Sequence, residues 1–510
     1  MPQSRTVRRL GALAVAASVT VPLAALAGAP AAQAGPCSVM FGNFGSLRES
    51  QTGAGMGGGS LGSLGAGSLG SASSGSTAAD GSLVRELETG SLGEAASGSL
   101  RTVTGSVYGA PPWATGEQGT VPVLRGPTRF VQLVTGPTSP ADTPARYGVG
   151  GTDLGIMWDN GDAARPQVLM AFGDTQGDCS LPGQQWRSNV LFRSGDRSLA
   201  DGLTIDSAAV GPDGLAKSIV PRSGLPGEVT VIPTAGISVG GVQYLRYMSV
   251  AQWGQPGSWT TNYSGLAYST DNGENWSVVP RMVRAVSGAV PTGEGAPAAD
   301  PRWGRAQMSS FVVSGEYLYE YLTTPGRQGA PILARVPLAG SPTPADLASG
   351  VPATAGGVLD PGAYEYFSHG SWVKDVSAAS YVLPGPASEM SVQWNDYLHR
   401  YVAMYSTGLT SVLIRTAERP EGPWSEPTTL VNYSTIPGAY GGFQHPWSTG
   451  KDLYYTLTTW NAYNVFLVHT DLSQLAVKGL RASTRLVEPE QQTVRQVPVS
   501  ELVDNRVPTE

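Results

Sequence analysis

The stretch from residue 151 to residue 174, GTDLGIMWDNGDAARPQVLMAFGD, decides the fold. An apolar segment leads into the turn-rich run Asp159–Asp162, and a second apolar segment, Val168 to Phe172, follows it. This pattern predicts an antiparallel β-hairpin centred near residue 163. Asp153 and Asp174 are almost equidistant from that centre, so we expect them opposite each other, with Cβ atoms about 5 Å apart if directly paired.

Opposed carboxylates destabilise a sheet by repulsion. Their presence at the open end of this hairpin therefore indicates a functional site. A turn-capping or other structural role is the alternative.

The N-terminus predicts export. Arg5, Arg8 and Arg9 precede an apolar segment, Leu10 to Ala27, and Ala32-Gln33-Ala34 resembles a cleavage site. We interpret residues 1–34 as a secretory signal peptide, with a retained membrane anchor as the alternative. No later segment approaches ~18 consecutive apolar residues. The mature protein is therefore expected to be secreted or associated with the cell envelope, without stable insertion in the membrane.

The rest of the chain divides by composition. Residues 35–120 are rich in Gly, Ser and Leu and predict a flexible segment, because they offer too little apolar area to offset the entropy of ordering. Contact of its leucines with a cell envelope or a partner is the alternative. Residues 121–477 form the predicted catalytic domain, and residues 478–510 are a C-terminal segment or tail. Cys37 and Cys179 can form one disulfide in an oxidising compartment, and two free thiols are the alternative.

The net charge of −7 argues against a nucleic-acid partner, since phosphate binding needs clustered Lys and Arg. The sequence does not indicate an oligomeric state.

Similar three- or four-strand units recur through the domain. They are Gly151 to Ser194, Val229 to Val279, Gln307 to Val336, a fourth unit containing SEMSVQW, RYVAMYS and SVLIRTA, and a fifth containing GGFQHPW, DLYYTLTTW and NVFLVHT. This repetition predicts an all-β fold, a five-bladed β-propeller. A sandwich of two large sheets is the alternative.

Residues 269–276, STDNGENW, match the Ser-x-Asp-x-Gly-x-x-Trp pattern called the Asp-box in sialidase-like propellers. Its Asp is expected to bind backbone amides in a hairpin turn while its Trp packs between strands, so we interpret it as structural.

In a propeller, the innermost strands should begin at the face that carries the central pocket. The residues expected there are Asp153, Thr234 or Ala235, Gln307, Glu389 and Gln444. Aromatic side chains beside polar groups are typical of carbohydrate sites, because sugar rings stack on aromatics. The candidate substrate-binding residues are the aromatics Trp186, Trp253, Tyr263, Trp303, Phe443 and Trp447 and the polar Arg187, Asn189, Gln307, Gln444 and His445.

Glycoside hydrolysis typically needs two carboxyl groups. Asp153, Asp174 and Glu389 are the candidates, and a neighbouring carboxylate would raise the pKa of the one that acts as acid. The sequence does not assign the acid and the base, or distinguish retention from inversion.

No metal site or cofactor is predicted. The four histidines, His369, His399, His445 and His469, are scattered, and neither HxxH nor HExxH occurs. A structural cation in the central channel is left open.

Five short motifs carry a resemblance to a known family. They are GTDLG at Gly151 to Gly155, FGDT at Phe172 to Thr175, WRSNV at Trp186 to Val190, SEMSVQWN at Ser388 to Asn395 and RTAERPEGPWS at Arg415 to Ser425. Over roughly residues 149–470 the chain resembles a secreted actinobacterial family long described as of unknown function. Members of that family include endo-D-arabinofuranases (endo-D-arabinanases) with a five-bladed propeller. The resemblance implies cleavage of internal α-linkages in the D-arabinan of cell-wall arabinogalactan and lipoarabinomannan. It also implies Asp153 and Asp174 as the catalytic pair and, less directly, Glu389.

Two alternatives remain open. The first is a propeller hydrolase for another glycan, such as an L-arabinan or a sialoside, although Arg187, Arg302 and Arg415 lack the motifs of a sialidase arginine cluster. The second is a non-catalytic propeller that binds envelope glycans, which would need no close carboxylate pair.

Overall fold

The computed structural model describes residues 120–124, residues 126–475 apart from 256, 288–290, 292, 294, 350–355, 409–410, 433–435, 437 and 461, and residues 494–498. The predicted signal peptide, the Gly/Ser/Leu-rich segment before residue 120 and most of the C-terminal segment lie outside these residues. Cys179 is disulfide-bonded, which contradicts the alternative of two free thiols, and Cys37 lies outside the described residues.

Strands dominate the described chain and form five antiparallel sheets, the blades. Numbered in chain order, blade 1 contains β3 (Leu154–Asp159), β4 (Val168–Phe172), β5 (Val190–Ser194) and β6 (Ser207–Ala208). Blade 2 contains β7 (Thr230–Val239), β8 (Val242–Trp253), β9 (Trp259–Ser269), β10 (Ser277–Val278) and β11 (Arg284–Ala285). Blade 3 contains β12 (Met308–Ser314), β13 (Tyr317–Thr323), β14 (Ile332–Pro337), β15 (Glu365–Ser368) and β16 (Ser371–Val373).

The remaining two blades complete the ring. Blade 4 contains β17 (Met390–Asn395), β18 (Arg400–Thr407), β19 (Ser411–Ala417) and β20 (Thr428–Asn432). Blade 5 contains β21 (Ala439–Gln444), β22 (Asp452–Thr459), β23 (Asn464–Asp471) and, at its outer edge, β2 (Thr128–Leu133). A separate two-stranded sheet pairs β1 (Thr120–Leu124) with β24 (Val494–Pro498).

Helices in the described chain are short. They are α1 (Thr143–Tyr147), α2 (Pro344–Ala348) and the 3₁₀ turns Pro182–Gln185, Pro280–Met282, Pro301–Arg305, Pro361–Ala363, Val376–Ala378 and Leu472–Gln474. None of the described helices is both long and apolar enough to cross a bilayer.

The first strand of each blade contacts the first strand of the next. The contacts run from β3 to β7, β12, β17 and β21 and back to β3, which closes a ring. The prediction of a five-bladed β-propeller is therefore confirmed, and the two-sheet sandwich is wrong. Buried apolar clusters fill the spaces between neighbouring blades.

Blade 5 closes the ring with an N-terminal strand that the repeat pattern did not reveal. Strand β2 pairs antiparallel with β23, and Phe130 packs edge-on against Phe466 with ring centroids 5.1 Å apart. The blade thus joins the start of the domain to its end.

The predicted hairpin of blade 1 is present. Strand β3 pairs antiparallel with β4, and all five residues of β4 are buried. The pairing shifts register at Gly155, where both Leu154 (φ 71°) and Gly155 (φ 79°) have left-handed backbones. Such strain is costly for Leu154 and accumulates at functional sites. Here it immediately follows Asp153.

The Asp-box lies in the turn after β9 and has the structural role inferred for it. Asp271 accepts hydrogen bonds from the Ser269 hydroxyl (2.7 Å) and the Asn275 backbone N–H (2.9 Å). The Trp276 indole donates to the Gly273 carbonyl at 3.0 Å, and its ring packs edge-on against Trp158.

Candidate active site

Three carboxyl groups lie at the same end of the propeller, where the innermost strands begin. Asp153 directly precedes β3, Asp174 follows β4 and Glu389 directly precedes β17. Asp174 and Glu389 are buried, and Asp153 is partly exposed as a residue although Oδ1 of its carboxyl group is buried. The charges of Asp174 and Glu389 both act on Asp153, so the ring brings together the three carboxylates that the sequence proposed.

The Asp153 carboxyl group is held on one side only. The Tyr440 hydroxyl, from blade 5, donates to Oδ2 at 2.9 Å. Oδ1 is buried and has no hydrogen-bond partner among the described residues. Gly173, which follows β4, lies opposite Asp153, and a Cβ atom there would lie 2.3 Å from Oδ1, so a larger residue would displace this carboxyl group.

The environment favours the protonated form of Asp153. Burial of the carboxyl group, and then repulsion from Asp174, raises its pKa to about 8. The Tyr440 hydrogen bond and the Arg327 charge oppose this shift, and the Glu389 charge adds to it. At neutral pH this carboxyl group therefore mostly retains its proton.

The neighbouring blade orients Asp174. The hydroxyl of Thr230, the first residue of β7, donates to Asp174 Oδ1 at 2.5 Å. Because Thr230 is fully buried, this contact ties the carboxylate of blade 1 to the inner strand of blade 2.

Glu389 is paired with a buried arginine. Arg327 Nε donates to both carboxylate oxygens, at 2.9 and 3.1 Å, and Nη2 lies 2.5 Å from Oε1. The guanidinium group also lies over the Tyr440 ring, 4.6 Å from its centroid. Glu389 therefore holds Arg327, which in turn packs on the tyrosine that contacts Asp153.

The sequence did not predict the contacts that Thr230, Tyr440 and Arg327 make with the three carboxyl groups. It placed Thr234 or Ala235 and Gln444 at the starts of the inner strands, but β7 begins at Thr230 and β21 at Ala439. Each strand has a register shift just after its start, and alternation of side chains cannot locate such a bulge. Arg327 lies in a loop after β13, where no pattern marked it.

Three predicted polar ligands are instead engaged in structural hydrogen bonds. Asn189 donates to the carbonyls of Val220 and Val231 and accepts from two backbone amides. The Gln307 side-chain amide donates hydrogen bonds to the Arg284 and Trp303 carbonyls. The Gln444 side-chain amide donates to the Ser391 and Val402 carbonyls. All three side chains are buried, and each fastens neighbouring strands or loops.

His445 and Trp447 lie at the opposite end of the propeller. The Trp447 indole bonds Asp159, the last residue of β3, about 20 Å along the strand from Asp153. Arg197 covers the Trp447 ring at 3.5 Å, and burial lowers the pKa of His445 to about 4. The structure does not bring either residue to the carboxylates, because both follow the far end of β21.

Most predicted aromatic ligands are packed between strands. Phe443 is a core residue, Trp253 packs against Trp259, and Trp303 packs against Tyr366. Tyr263 is buried, with its hydroxyl 3.4 Å from Glu228.

Trp186 and Arg187 remain near the site. They line a cavity of about 520 Å³ between blades 1 and 2. Among the described residues, no cluster of three or more His, Cys, Asp or Glu side chains could hold a metal ion.

The fold and this site define a five-bladed propeller with three carboxyl groups gathered at one end. Residues 138–469 match the family described as a domain of unknown function, DUF4185. The chain belongs to that family.

Curated relatives are fungal. "Notoamide biosynthesis cluster protein J'" of Aspergillus versicolor is 30% identical over 342 residues, which cover 62% of this chain and 83% of the relative.

Solved structures resemble the chain more distantly. The exo-β-1,3-galactanase of Phanerochaete chrysosporium has 9% sequence identity and a TM-score of 0.38, and the match covers 72% of this chain and 70% of the galactanase chain. The endo-arabinase of Bacteroides thetaiotaomicron has 10% identity and a TM-score of 0.33, covering 64% and 96%. Similarities this low carry no inference about activity.

Proposed function

We propose that this protein is an exported glycoside hydrolase that cleaves internal α-D-arabinofuranosyl linkages in cell-wall D-arabinan. The observation that carries the hydrolase assignment is the Asp153 carboxyl group, kept protonated beside a second carboxylate. A neutral carboxylic acid next to a carboxylate is the pair that glycoside hydrolysis requires.

The roles follow from the contacts of each group. Protonated Asp153, with Oδ1 free of protein partners among the described residues, donates its proton to the glycosidic oxygen as the C–O bond breaks. Asp174, oriented by Thr230, acts at the anomeric carbon, as base for a water molecule or as nucleophile. Glu389 is a positioning residue, because both of its oxygens are bonded to Arg327.

The choice of substrate rests on the resemblance of Gly151–Gly155 and Phe172–Thr175 to the family that includes endo-D-arabinofuranases. Export rests on the N-terminal sequence pattern. A D-arabinan of arabinogalactan or lipoarabinomannan outside the membrane would be accessible to such an enzyme.

The test compares four purified proteins on mycobacterial arabinogalactan: wild type, Asp153→Asn, Asp174→Asn and Asp162→Asn. Asp162 lies at the other end of the same hairpin, so its variant is the matched control. We expect wild type and Asp162→Asn to release D-arabino-oligosaccharides, and each of the other variants to lose at least about 10²-fold in rate.

Equal release by Asp153→Asn and wild type would contradict the catalytic pair. If no protein releases oligosaccharides from arabinogalactan and all are folded, the substrate assignment is wrong, and a panel of other glycans then tests the hydrolase assignment itself.

A further inference from the structure

Blade 5 holds the backbone on both sides of Asp153. The Thr152 N–H donates to the Tyr463 carbonyl at 2.8 Å, and the Leu154 N–H donates to the Thr458 hydroxyl at 3.0 Å. Thr458 lies in β22, and Tyr463 lies between β22 and β23. The residues before and after Asp153 are therefore fixed by a neighbouring blade as well as by their own hairpin.

The backbone directly after Asp153 is a left-handed bulge made of Leu154 and Gly155. A φ of 71° is disfavoured at Leu154, which carries a Cβ atom, and such a conformation persists only where its surroundings hold it. A second hydroxyl of β22, from Thr456, donates to the Gly155 carbonyl at 2.9 Å. Thr456 and Thr458 are fully buried and, being two residues apart on a strand, face the same side. Strand β22 thus supplies the hold on the bulge.

The bulge sets the direction of the Asp153 side chain, because a bulge re-aims the side chains beside it. The Asp153 carbonyl accepts a hydrogen bond of 3.2 Å from the N–H of Gly173. Its carboxyl group lies so close to Gly173 that a Cβ atom there would overlap Oδ1. The carboxyl group is therefore directed at the segment that carries Asp174, the next residue.

We infer that Thr458 is a positioning residue for the proposed acid, because its hydroxyl holds the bulge that directs the Asp153 carboxyl group toward Asp174. This inference rests on the proposed function and adds a residue that bonds the backbone rather than a carboxyl group. Without the hydroxyl, the Leu154 N–H loses its acceptor, the bulge relaxes, and Asp153 turns away from Asp174 toward water. The proton donor is then misplaced, whereas the surfaces that bind the rest of the glycan are unchanged.

The first measurement is steady-state kinetics on arabinan. Thr458→Val removes the hydroxyl and keeps the branched shape, whereas Thr458→Ser keeps the hydroxyl. We expect Thr458→Val to lower kcat about tenfold with KM changed less than about twofold, and Thr458→Ser to stay close to wild type. Thr470→Val is the matched control, because Thr470 is a fully buried threonine of the same blade whose hydroxyl lies 2.9 Å from that of Thr128. It should lower the melting temperature and leave kcat unchanged.

The second measurement needs no hydrolysis. Asp153→Asn is made in the wild-type and Thr458→Val backgrounds, and each protein is melted at pH 5 and pH 8. In wild type, the gap in melting temperature between Asp153→Asn and its parent should be wider at pH 8, since only the carboxyl group ionises there. In the Thr458→Val background this widening should shrink to about half or less, because a carboxyl group that faces water ionises at little cost.

The outcomes separate this inference from the hydrolase assignment. Arabinan cleavage by Thr458→Val with a kcat within about twofold of wild type would overturn the positioning role and leave the hydrolase in place. Equal losses of kcat in Thr458→Val and in either Thr458→Ser or Thr470→Val, or an unchanged widening of the gap, would also overturn it. If wild type cleaves no glycan but the widening shrinks in Thr458→Val and not in Thr458→Ser, positioning is supported and the hydrolase is contradicted. Thr458→Ala, paired with Thr470→Ala, takes over these comparisons if the valine variant does not fold.

Discussion

At the scale of single residues, the proposed catalysis depends on one carboxyl group whose surroundings disfavour its charge. Burial and Asp174 raise the pKa of Asp153, and the Tyr440 hydroxyl partly offsets them. The pair is therefore asymmetric, since Asp153 Oδ1 has no hydrogen-bond partner in the part of the chain that the structure describes, while Thr230 donates to Asp174.

The first prediction concerns Tyr440→Phe. Loss of the hydrogen bond to Oδ2 removes a contact that lowers the Asp153 pKa, so the alkaline limb of kcat/KM should move upward by about half to one pH unit. The pH–rate profile on arabinan measures this shift. The control is Tyr381→Phe, because Tyr381 is an exposed tyrosine. An alkaline limb that does not move in Tyr440→Phe would argue against Asp153 as the acid.

The second prediction concerns stability. The folded-state pKa of Asp153, about 8, lies above its unfolded value of about 3.9. The contribution of this carboxyl group to the free energy of unfolding is therefore complete below about pH 4 and is lost as pH rises toward 8. Asp153→Asn, which cannot ionise, should exceed wild type in free energy of unfolding by roughly 2–4 kcal/mol near pH 8 and by less near pH 5. Urea unfolding at both pH values checks this difference. A constant difference would show that the carboxyl group does not titrate as expected.

At the scale of elements, blades 2 and 3 are joined by a buried charge cluster. Arg284 binds Glu320 through two hydrogen bonds of 2.8 Å, and Arg246 Nε lies 3.0 Å from the same carboxylate. Burial alone would raise the pKa of Glu320, but the two guanidinium groups lower this pKa to about 2. Strands β8, β11 and β13 are thereby fixed together.

The third prediction is that Glu320→Gln destabilises the protein by about 3–5 kcal/mol, because it leaves two buried guanidinium groups without their counter-charge. Glu365→Gln, which breaks a partly exposed pair with Arg335 in blade 3, should cost less than Glu320→Gln, about 1 kcal/mol. Chemical denaturation measures both. Similar losses in the two variants would contradict the importance of burial.

At the scale of the whole molecule, the propeller is a ring closed by β2 on β23. The site collects its groups from blades 1, 2, 4 and 5 and from the loop after β13, so its geometry depends on closure. The ring therefore has to form before Glu389 meets the Asp153–Asp174 pair, although these two residues already lie on one hairpin.

The fourth prediction concerns closure. Phe130→Ala removes a buried ring of β2 and should lower the free energy of unfolding by about 3–5 kcal/mol in a single cooperative transition, while kcat well below the melting temperature stays unchanged. Phe367 in β15 packs its ring against Trp372 but is only partly buried. Phe367→Ala should therefore lower the free energy of unfolding by less than Phe130→Ala does. Calorimetry measures both, and an unchanged melting temperature in Phe130→Ala would contradict closure through β2.

Local sequence determined the elements that depend on near neighbours. The β3–β4 hairpin, the Asp-box turn and the repetition of blades were predictable, because turn residues and alternating apolar positions act over a few residues. Asp153 and Asp174 were found for the same reason, since they lie on one hairpin.

Tertiary structure alone decided how distant segments meet. Thr230 and Arg327 reach the carboxylates only when neighbouring blades pack together, and Tyr440 reaches Asp153 only when blade 5 meets blade 1. The bulges in β7 and β21 shift those strands in ways that alternation does not encode. Strand β2 joins blade 5 across more than three hundred residues, as the Thr128–Thr470 contact shows. The pKa of Asp153 likewise depends on burial and on charges from other blades, which are properties of the assembled ring rather than of any short stretch of sequence.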